Sequence, residues 1–121
     1  MSKLSEREWA VLAVLWNCGG AALGELTEAL RRSTGWSRNT VLTYLTRMEG
    51  KGLVSIDKTV SPHIYRAALK REECQAMERR SFLQRVYRGA AGDLVAAFLR
   101  EEPLSARERE ELRRLLDEME V

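Results

Sequence analysis

Short polar side chains and two arginines occupy the stretch from Gly35 to Gly50, G-W-S-R-N-T-V-L-T-Y-L-T-R-M-E-G. Amide, hydroxyl and guanidinium groups are those that hydrogen-bond to base edges and phosphates in the major groove of DNA. The candidates in this stretch are Ser37, Arg38, Asn39, Thr40, Thr43, Thr46 and Arg47. The same residue types would suit a helix face exposed only to solvent, and this stretch alone leaves both interpretations open.

The same stretch has the apolar spacing of a helix. The positions i, i+3, i+4 and i+7 are Val41, Tyr44, Leu45 and Met48. This spacing places four apolar side chains on one face, and Ser37 is a favourable N-cap residue. We therefore predict a helix over residues 37–49 with these four residues in the core and the polar side chains, together with Leu42, facing outward.

Two shorter helical patterns come before this stretch. Ser5 and Glu8 form an S-x-x-E capping box, which predicts a first helix from about Glu6 to Asn17. A second helix is predicted from Leu23 to Arg32, with Ser33-Thr34-Gly35 ending it. The short connections fit a helix-turn-helix, although any three-helix bundle has connections of this length.

After residue 52 the hydrophobic period changes from helical to alternating. Leu53 to Lys58 and His63 to Ala67 are rich in β-branched and aromatic residues, and Ser61-Pro62 between them is a turn signal. We predict a β-hairpin, which must lie against the helices because two strands alone are marginally stable. Three helices followed by a hairpin is the order of a winged helix-turn-helix. The hairpin tip would lie near the DNA backbone, which adds Lys58 and His63 to the candidate DNA contacts.

Charge is distributed unevenly along the chain, although the net charge is only +2. Residues 1–69 contain nine Lys and Arg against six Asp and Glu, whereas residues 70–121 contain eleven against twelve. Between Arg31 and Lys58 there are six basic and two acidic residues, and Lys51, one of the basic ones, is a further candidate DNA contact. The positive excess therefore centres on the helix predicted to contact DNA.

The last third of the chain predicts thin amphipathic helices. One runs from Lys70 to Arg88, a short one covers Leu94 to Leu99, and a third begins at Ser105 with Glu108 completing a capping box. Because this region has too little mass for a core of its own, we expect it to bury its apolar stripes against a second copy. The positions assigned to this dimer are Phe82, Leu83, Val86, Leu94, Phe98, Leu112, Leu115, Leu116 and Met119.

Several function classes lack support in the sequence. No run approaches the roughly 18 apolar residues of a membrane span, and no secretory signal is present, so we expect a cytoplasmic protein. Cys18, Cys74 and His63 lack the short spacing of a metal site, and no nucleophile motif or phosphate loop occurs. We expect neither an enzyme nor a bound cofactor or metal.

The sequence resembles the BlaI/MecI-type penicillinase repressors of bacteria over nearly its whole length. The matching residues and segments are Leu4 to Trp9, Val14 to Trp16, Trp36 to Val41, Leu45, Arg47, Met48, Lys51 to Leu53, Tyr65, Ser81 to Leu83, Leu94 to Phe98, Leu104-Ser105 and Glu111 to Leu116. The resemblance implies a homodimer held by C-terminal helices that blocks transcription from an operator. The genes controlled in the family are typically those of β-lactamases, penicillin-binding proteins or copper transport.

Induction differs between branches of that family. In the penicillinase branch a protease cuts the dimerisation region before a phenylalanine, usually after an asparagine, and in the copper branch a C-terminal cysteine cluster binds metal. Here Ala97-Phe98 occupies the cut position without the asparagine, and the C-terminus has no cysteines. The resemblance therefore makes Ala97 and Phe98 candidates for proteolytic control and implies an inducing protease as a partner.

Taken together, these observations predict a mainly α protein with a small β-hairpin. Residues 1–69 are expected to form a winged helix-turn-helix that binds DNA, and residues 70–121 a helical dimerisation region. A two-fold dimer would bind an inverted-repeat operator through the helix 37–49 and the wing 53–68, and control β-lactamase or related resistance genes. The alternative is a helical adaptor that dimerises and binds protein instead of DNA.

Overall fold

The computed structural model describes residues 4–119, which form six α-helices and one two-stranded sheet. In chain order these elements are α1 (Glu6–Cys18), α2 (Leu23–Thr34), α3 (Arg38–Gly50), β1 (Val54–Asp57), β2 (Ile64–Ala67), α4 (Arg71–Tyr87), α5 (Ala91–Glu101) and α6 (Ala106–Glu118). The predicted fold class, mainly α with three helices followed by a hairpin, is confirmed.

Side-chain caps begin the helices where the sequence predicts them. In the first capping box the Glu8 N–H donates to Ser5 Oγ at 3.2 Å, and the Ser5 N–H donates to Glu8 Oε1 at 2.9 Å. The Thr40 N–H donates to Ser37 Oγ at 3.2 Å, which makes Ser37 the N-cap of α3. These bonds satisfy amide donors that the first turn of a helix otherwise leaves free.

The second helix continues two residues further than predicted. Thr34 belongs to α2, and its hydroxyl donates to the carbonyl oxygen of Leu30 at 2.7 Å. The helix ends at Gly35, whose φ of +67° lies in the left-handed region that suits glycine. The turn signal at Ser33-Thr34-Gly35 therefore acts only at its last residue.

One hydrophobic core joins the first three helices, the hairpin and the start of α4. Its buried side chains are Leu4, Val11, Leu12, Leu15, Ala21, Leu26, Leu30, Val41, Leu45, Met48, Leu53, Val54, Tyr65 and Cys74. Tyr44, which the sequence places with the core residues of α3, is only half-buried. The core holds one face of α3 and leaves the opposite face exposed to solvent.

The hairpin is antiparallel, with Val54 opposite Ala67 and Asp57 opposite Ile64. It is also joined to the loop between α1 and α2 by two backbone hydrogen bonds. The Ala21 N–H donates to the Tyr65 carbonyl at 3.0 Å, and the Tyr65 N–H donates to the Ala21 carbonyl at 2.8 Å. This bridge pairs one residue of the loop with β2 and holds the hairpin against the helices. A two-stranded hairpin needs such support because it is only marginally stable alone.

The chain divides into two compact units, Met1–Glu78 and Arg79–Val121, and the division falls inside α4. In the second unit neither α5 nor α6 has a buried residue. Its large exposed apolar side chains include Val86, Val95, Phe98, Leu99, Leu115, Leu116 and Met119. This division lies nine residues beyond the predicted domain boundary at 69/70. The assignment of residues 1–69 to DNA binding and of residues 70–121 to dimerisation stays a prediction.

None of the helices within residues 4–119 combines the length and the apolar character needed to cross a membrane.

Candidate nucleic-acid interface

The outer face of α3 carries the side chains predicted to contact DNA. Val41, Leu45 and Met48 on the inner face have no exposed surface. On the opposite side the exposed residues include Arg38, Asn39, Thr43, Thr46 and Arg47. The core thus presents this set of polar side chains on one face, with an arginine towards each end of the helix.

The two threonines of this face use their hydroxyl protons within the helix. Thr43 Oγ1 donates to the Asn39 carbonyl at 2.9 Å, and Thr46 Oγ1 donates to the Leu42 carbonyl at 2.9 Å. A hydroxyl oxygen that has donated its proton still has lone pairs with which to accept. The base groups that fit such acceptors in the major groove are the amino groups of adenine and cytosine.

Two of the predicted contacts, Ser37 and Thr40, have structural roles at the start of α3. Ser37 Oγ accepts the Thr40 N–H and lies 3.1 Å from Thr40 Oγ1. Ser37 is exposed, whereas Thr40 is half-buried. Because the cap engages both hydroxyls, it accounts for these residue types without DNA, and their contact with DNA stays a prediction.

Arg38 lies beside the first turn of α2. One of its guanidinium nitrogens, Nη1, is 3.7 Å from the position that a Cβ atom on Gly24 would take. An open groove runs between α2, α3 and the hairpin. Its lining residues are Ala22, Leu23, Gly24, Glu25, Arg38, Leu42, Pro62, His63 and Tyr65. The groove therefore brings together two residues assigned to DNA from the sequence, one on the helix and one on the wing.

An aromatic stack supports the other side of α3. The rings of Trp36 and Tyr44 are 4.5 Å apart and nearly parallel, at 7°. The Tyr44 hydroxyl accepts a hydrogen bond from Arg7 Nη1 at 3.0 Å, and the Arg47 guanidinium lies 6.0 Å from the centre of the Tyr44 ring. This hydrogen bond raises the pKa of Arg7 above its ordinary value. Tyr44 therefore packs against the core, as predicted, and also joins α3 to Trp36 and Arg7.

Arg7 is a residue that the sequence analysis missed. It lies in α1, 37 positions before Tyr44, and it is exposed on the same unit as the outer face of α3. Local periodicity cannot reveal a pair so far apart in sequence. An arginine two residues after an N-cap has no distinguishing local signal.

Lys51 is held by an ion pair. Its Nζ lies 2.7 Å from Oε2 of Glu8, whose side chain is only 7% exposed. Burial acts to raise the pKa of the Glu8 carboxyl, but hydrogen bonds from Lys51 and Ser5 outweigh it and lower the pKa below its ordinary value. The ion pair gives Lys51 a structural role, and its predicted contact with DNA stays a prediction.

The hairpin tip carries the remaining candidates. Lys58 and His63 are both exposed. Asp57 accepts hydrogen bonds from the hydroxyl and the N–H of Thr59, at 2.5 and 3.0 Å, and these bonds lower the pKa of its carboxyl. The Asp57 carboxylate also lies 4.0 Å from Arg66 Nη1. The acidic residue of the wing is thus internally engaged, and the tip presents its basic side chains outward.

The residues predicted to form the dimer fall into two groups. Those that are half-buried within their own chain are Phe82, Leu83, Leu94 and Leu112. Those that are exposed are Val86, Phe98, Leu115, Leu116 and Met119. Ala97 and Phe98, the candidates for proteolytic control, lie in the second half of α5, where Ala97 is half-buried.

Comparison with known proteins finds one family over almost the whole chain. A family model described as "Penicillinase repressor" matches residues 4–118. The methicillin resistance regulatory protein MecI of Staphylococcus aureus strain N315 is 29% identical, over 95% of this chain and 94% of MecI. The penicillinase repressor of Bacillus licheniformis is 28% identical, over 96% of this chain and 91% of that protein.

A solved structure also matches, at a level too low to bear on function. A probable transcriptional regulator from Pseudomonas aeruginosa is 23% identical, with a TM-score of 0.43, and the match covers 94% of this chain and 76% of that chain.

Proposed function

Because this chain belongs to the penicillinase repressor family, we propose that it represses transcription as a homodimer bound to an inverted-repeat operator. Members of this family are transcriptional repressors and not enzymes. The activity of the chain is therefore DNA binding, which favours the repressor over the adaptor. The dimer, the operator symmetry and the residues that contact DNA are parts of the proposal.

The observation that carries the proposal is the outer face of α3. Three polar side chains, Asn39, Thr43 and Thr46, are exposed on the side opposite a completely buried apolar row. The side-chain amide of an asparagine can form two hydrogen bonds with adenine, one donated by its nitrogen and one accepted by its oxygen, and arginine binds guanine or phosphate. In this proposal α3 lies in the major groove, and the tip of the hairpin, with Lys58 and His63, follows the neighbouring backbone.

The dimer is supported by the apolar surface of the second unit. Phe98 is 54% exposed on α5 and Leu116 is 58% exposed on α6, and neither helix has a buried residue. Apolar surface of this extent is unfavourable in water at roughly 25 cal/mol for each Å². A second copy of the same stripe would cover it, because a two-fold interface joins identical patches.

Dimerisation would also explain how one small unit achieves sequence specificity. Each good base contact contributes only about 1–3 kcal/mol of discrimination, and α3 offers few of them. Two copies joined together double the number of specific contacts on one operator. Loss of the dimer would therefore reduce specificity more than it reduces general attraction to phosphate.

We extend the proposal to the genes that the repressor controls and to the way in which the repressor is released from its operator. By similarity to the methicillin resistance and penicillinase regulators, the chain would control β-lactamase or related resistance genes. The bond between Ala97 and Phe98 lies inside α5, so a protease could cut it only after that helix had opened locally. Because α5 has no buried residue, the free energy needed for such local opening would be small.

The proposal is tested by the salt dependence of binding to double-stranded DNA. A repressor that neutralises several phosphates loses affinity steeply as salt rises, because counterions are released from the DNA. An adaptor for proteins would not show this dependence on a DNA duplex. Binding that is absent at low salt, measured by fluorescence anisotropy with full-length protein, would reject the proposal.

A further inference from the structure

Leu42 is an apolar side chain on the otherwise polar outer face of α3. It is 39% exposed, whereas its neighbour Val41 has no exposed surface. Asn39 and Thr46, three residues before it and four after it, are adjacent to it on the helix surface. Leu42 therefore lies among the side chains proposed to face the DNA bases, and the core does not enclose it.

The surroundings of Leu42 are apolar with basic edges. Leu23, Pro62 and Tyr65 line the same open groove, and Arg38 and His63 line it too. Glu25, the acidic residue in this lining, accepts a hydrogen bond from the Ala22 N–H at 2.9 Å and is thereby engaged in the cap of α2. This combination suits a partner that is anionic overall and carries a small apolar group.

The major groove of DNA has one such group, the 5-methyl of thymine. The threonines next to Leu42 do not add hydroxyl donors to this face, since Thr43 and Thr46 donate to backbone carbonyls of their own helix. Asn39 and the two arginines are left as the main donors of the face. An apolar contact is therefore the means of base recognition that Leu42 can add.

We propose that Leu42 reads the 5-methyl group of one thymine in each half of the operator. The inference rests on the DNA-binding function proposed above and names a residue that determines its specificity. Burial of one methyl group corresponds to a change in affinity of about fourfold. Two equivalent thymines, one in each half-site, would together change affinity by roughly the square of that factor.

The test compares thymine with deoxyuridine, which lacks only the methyl group and keeps the same base pairing. An operator is first selected from random duplex DNA with the full-length protein, and each thymine is then replaced by deoxyuridine in turn. Affinities are measured for the wild type, Leu42→Ala and Leu42→Met. Circular dichroism and thermal unfolding show whether each variant retains the native fold.

We expect wild-type affinity to fall about fourfold at one thymine in each half-site. Leu42→Ala should bind the thymine and deoxyuridine operators equally well, whereas Leu42→Met, which keeps an apolar side chain of similar size, should retain the preference. If Leu42→Ala fails to fold, the Leu42→Met variant and the wild-type deoxyuridine scan still test the idea. A wild type that is indifferent to every replacement contradicts the proposal.

A second contrary result is possible. If Leu42→Ala folds and loses as much affinity as the wild type at the same deoxyuridine, another side chain reads that methyl group and the assignment to Leu42 is wrong. The proposed function fails separately, since a protein that is no DNA-binding repressor would select no sequence at the first step.

Discussion

The ammonium group of Lys51 lies 2.7 Å from a carboxylate oxygen of Glu8, which joins the residue after α3 to the capping box of α1. Glu8 is the N3 residue of that box and accepts the Ser5 N–H through its other oxygen. One nearly buried carboxylate thus starts the first helix and fixes the end of the third. The orientation of the proposed DNA-reading helix depends in part on this contact.

Replacement of Lys51 should therefore affect stability more than DNA binding. Lys51→Met keeps the aliphatic stem but leaves the Glu8 carboxylate without its cation. We expect the free energy of unfolding to fall by about 1–2 kcal/mol, at the low end for a charged hydrogen bond because the Lys51 side chain is half exposed. Chemical denaturation followed by circular dichroism measures the change.

Lys58→Met at the hairpin tip is the matched control. It should leave stability within about 0.5 kcal/mol of the wild type. DNA affinity should fall for all sequences. The slope of log affinity against log salt concentration should become shallower by about one unit. If the Lys51 variant behaves in this way and keeps its stability, Lys51 is a phosphate contact and not a structural residue.

The same carboxylate predicts how stability depends on pH. The pKa of Glu8 is lower in the folded protein than its ordinary value of 4.5, so its ionised form stabilises the fold. This contribution is fully present above pH 4.5 and is lost as the pH falls through the lower, folded value. Asp57 and Glu108 also have lowered pKa values, and they act in the same direction.

Glu8→Gln isolates the effect of this one group. Its unfolding free energy should be about 1 kcal/mol below that of the wild type at neutral pH, and the difference should shrink as the pH drops below 4.5. Asp57 and Glu108 are present in both proteins, so their effects cancel in the difference. A difference that stays constant from about pH 7 to pH 3 would show that Glu8 is not stabilised in its ionised form.

The outer face of α3 is tested by substitutions that leave the core intact. Asn39→Ala and Thr43→Ala should weaken binding mainly to the specific operator, by about 1–3 kcal/mol for a base contact. Arg47→Ala distinguishes two cases. Loss at all sequences with a smaller salt slope indicates a phosphate contact, and loss only at the operator indicates a base contact.

Gln75→Ala, which removes an exposed amide from α4, is the control for these variants. It should bind the operator as the wild type does. Unchanged binding by all three α3 variants, with native circular dichroism spectra, would mean that another surface of the protein contacts DNA.

Patterns formed by residues close in sequence predict much of this fold. The capping boxes at Ser5 and Ser105 are present, and the apolar spacing of α3 identified three fully buried positions. These features are local, since a cap or a helical face is set by residues within one or two turns. The outward position of Leu42 followed from the same spacing.

The missed features join residues far apart in the chain. Glu8 and Lys51 are separated by 43 positions, and Arg7 and Tyr44 by 37. The bridge between Ala21 and Tyr65 is another such contact. Their partners are determined by how the helices and the hairpin pack, and a periodic pattern contains no information about that packing. For this reason the sequence assigns Lys51 only to DNA and Tyr44 only to the core. The structure adds an ion pair between Lys51 and Glu8 and a hydrogen bond from Arg7 to Tyr44.

The last helix is the proposed centre of the dimer. Leu112→Ala combined with Leu116→Ala removes apolar groups that would be buried between two copies, at about 2–5 kcal/mol each. We expect the double variant to shift towards monomer at micromolar concentration and to lose operator affinity. Sedimentation velocity and operator titration measure the two effects on the same samples.

Glu110→Ala combined with Arg114→Ala is a charge-neutral control on the same helix, at two exposed positions. It should leave the oligomeric state unchanged, because ion pairs at exposed positions contribute little. If the leucine variant remains dimeric with unchanged affinity, the stripe of α6 packs within its own chain.

Selection of DNA from a random duplex library by the full-length protein tests the central claim most directly. A homodimer that reads DNA through two copies of α3 should enrich an inverted repeat whose half-sites are centred about one helical turn apart, ~34–36 Å, or a multiple of that distance. Thr43→Ala and Arg47→Ala should reduce the enrichment. A library that stays unenriched, or a single half-site bound as tightly as the full repeat, would contradict the account.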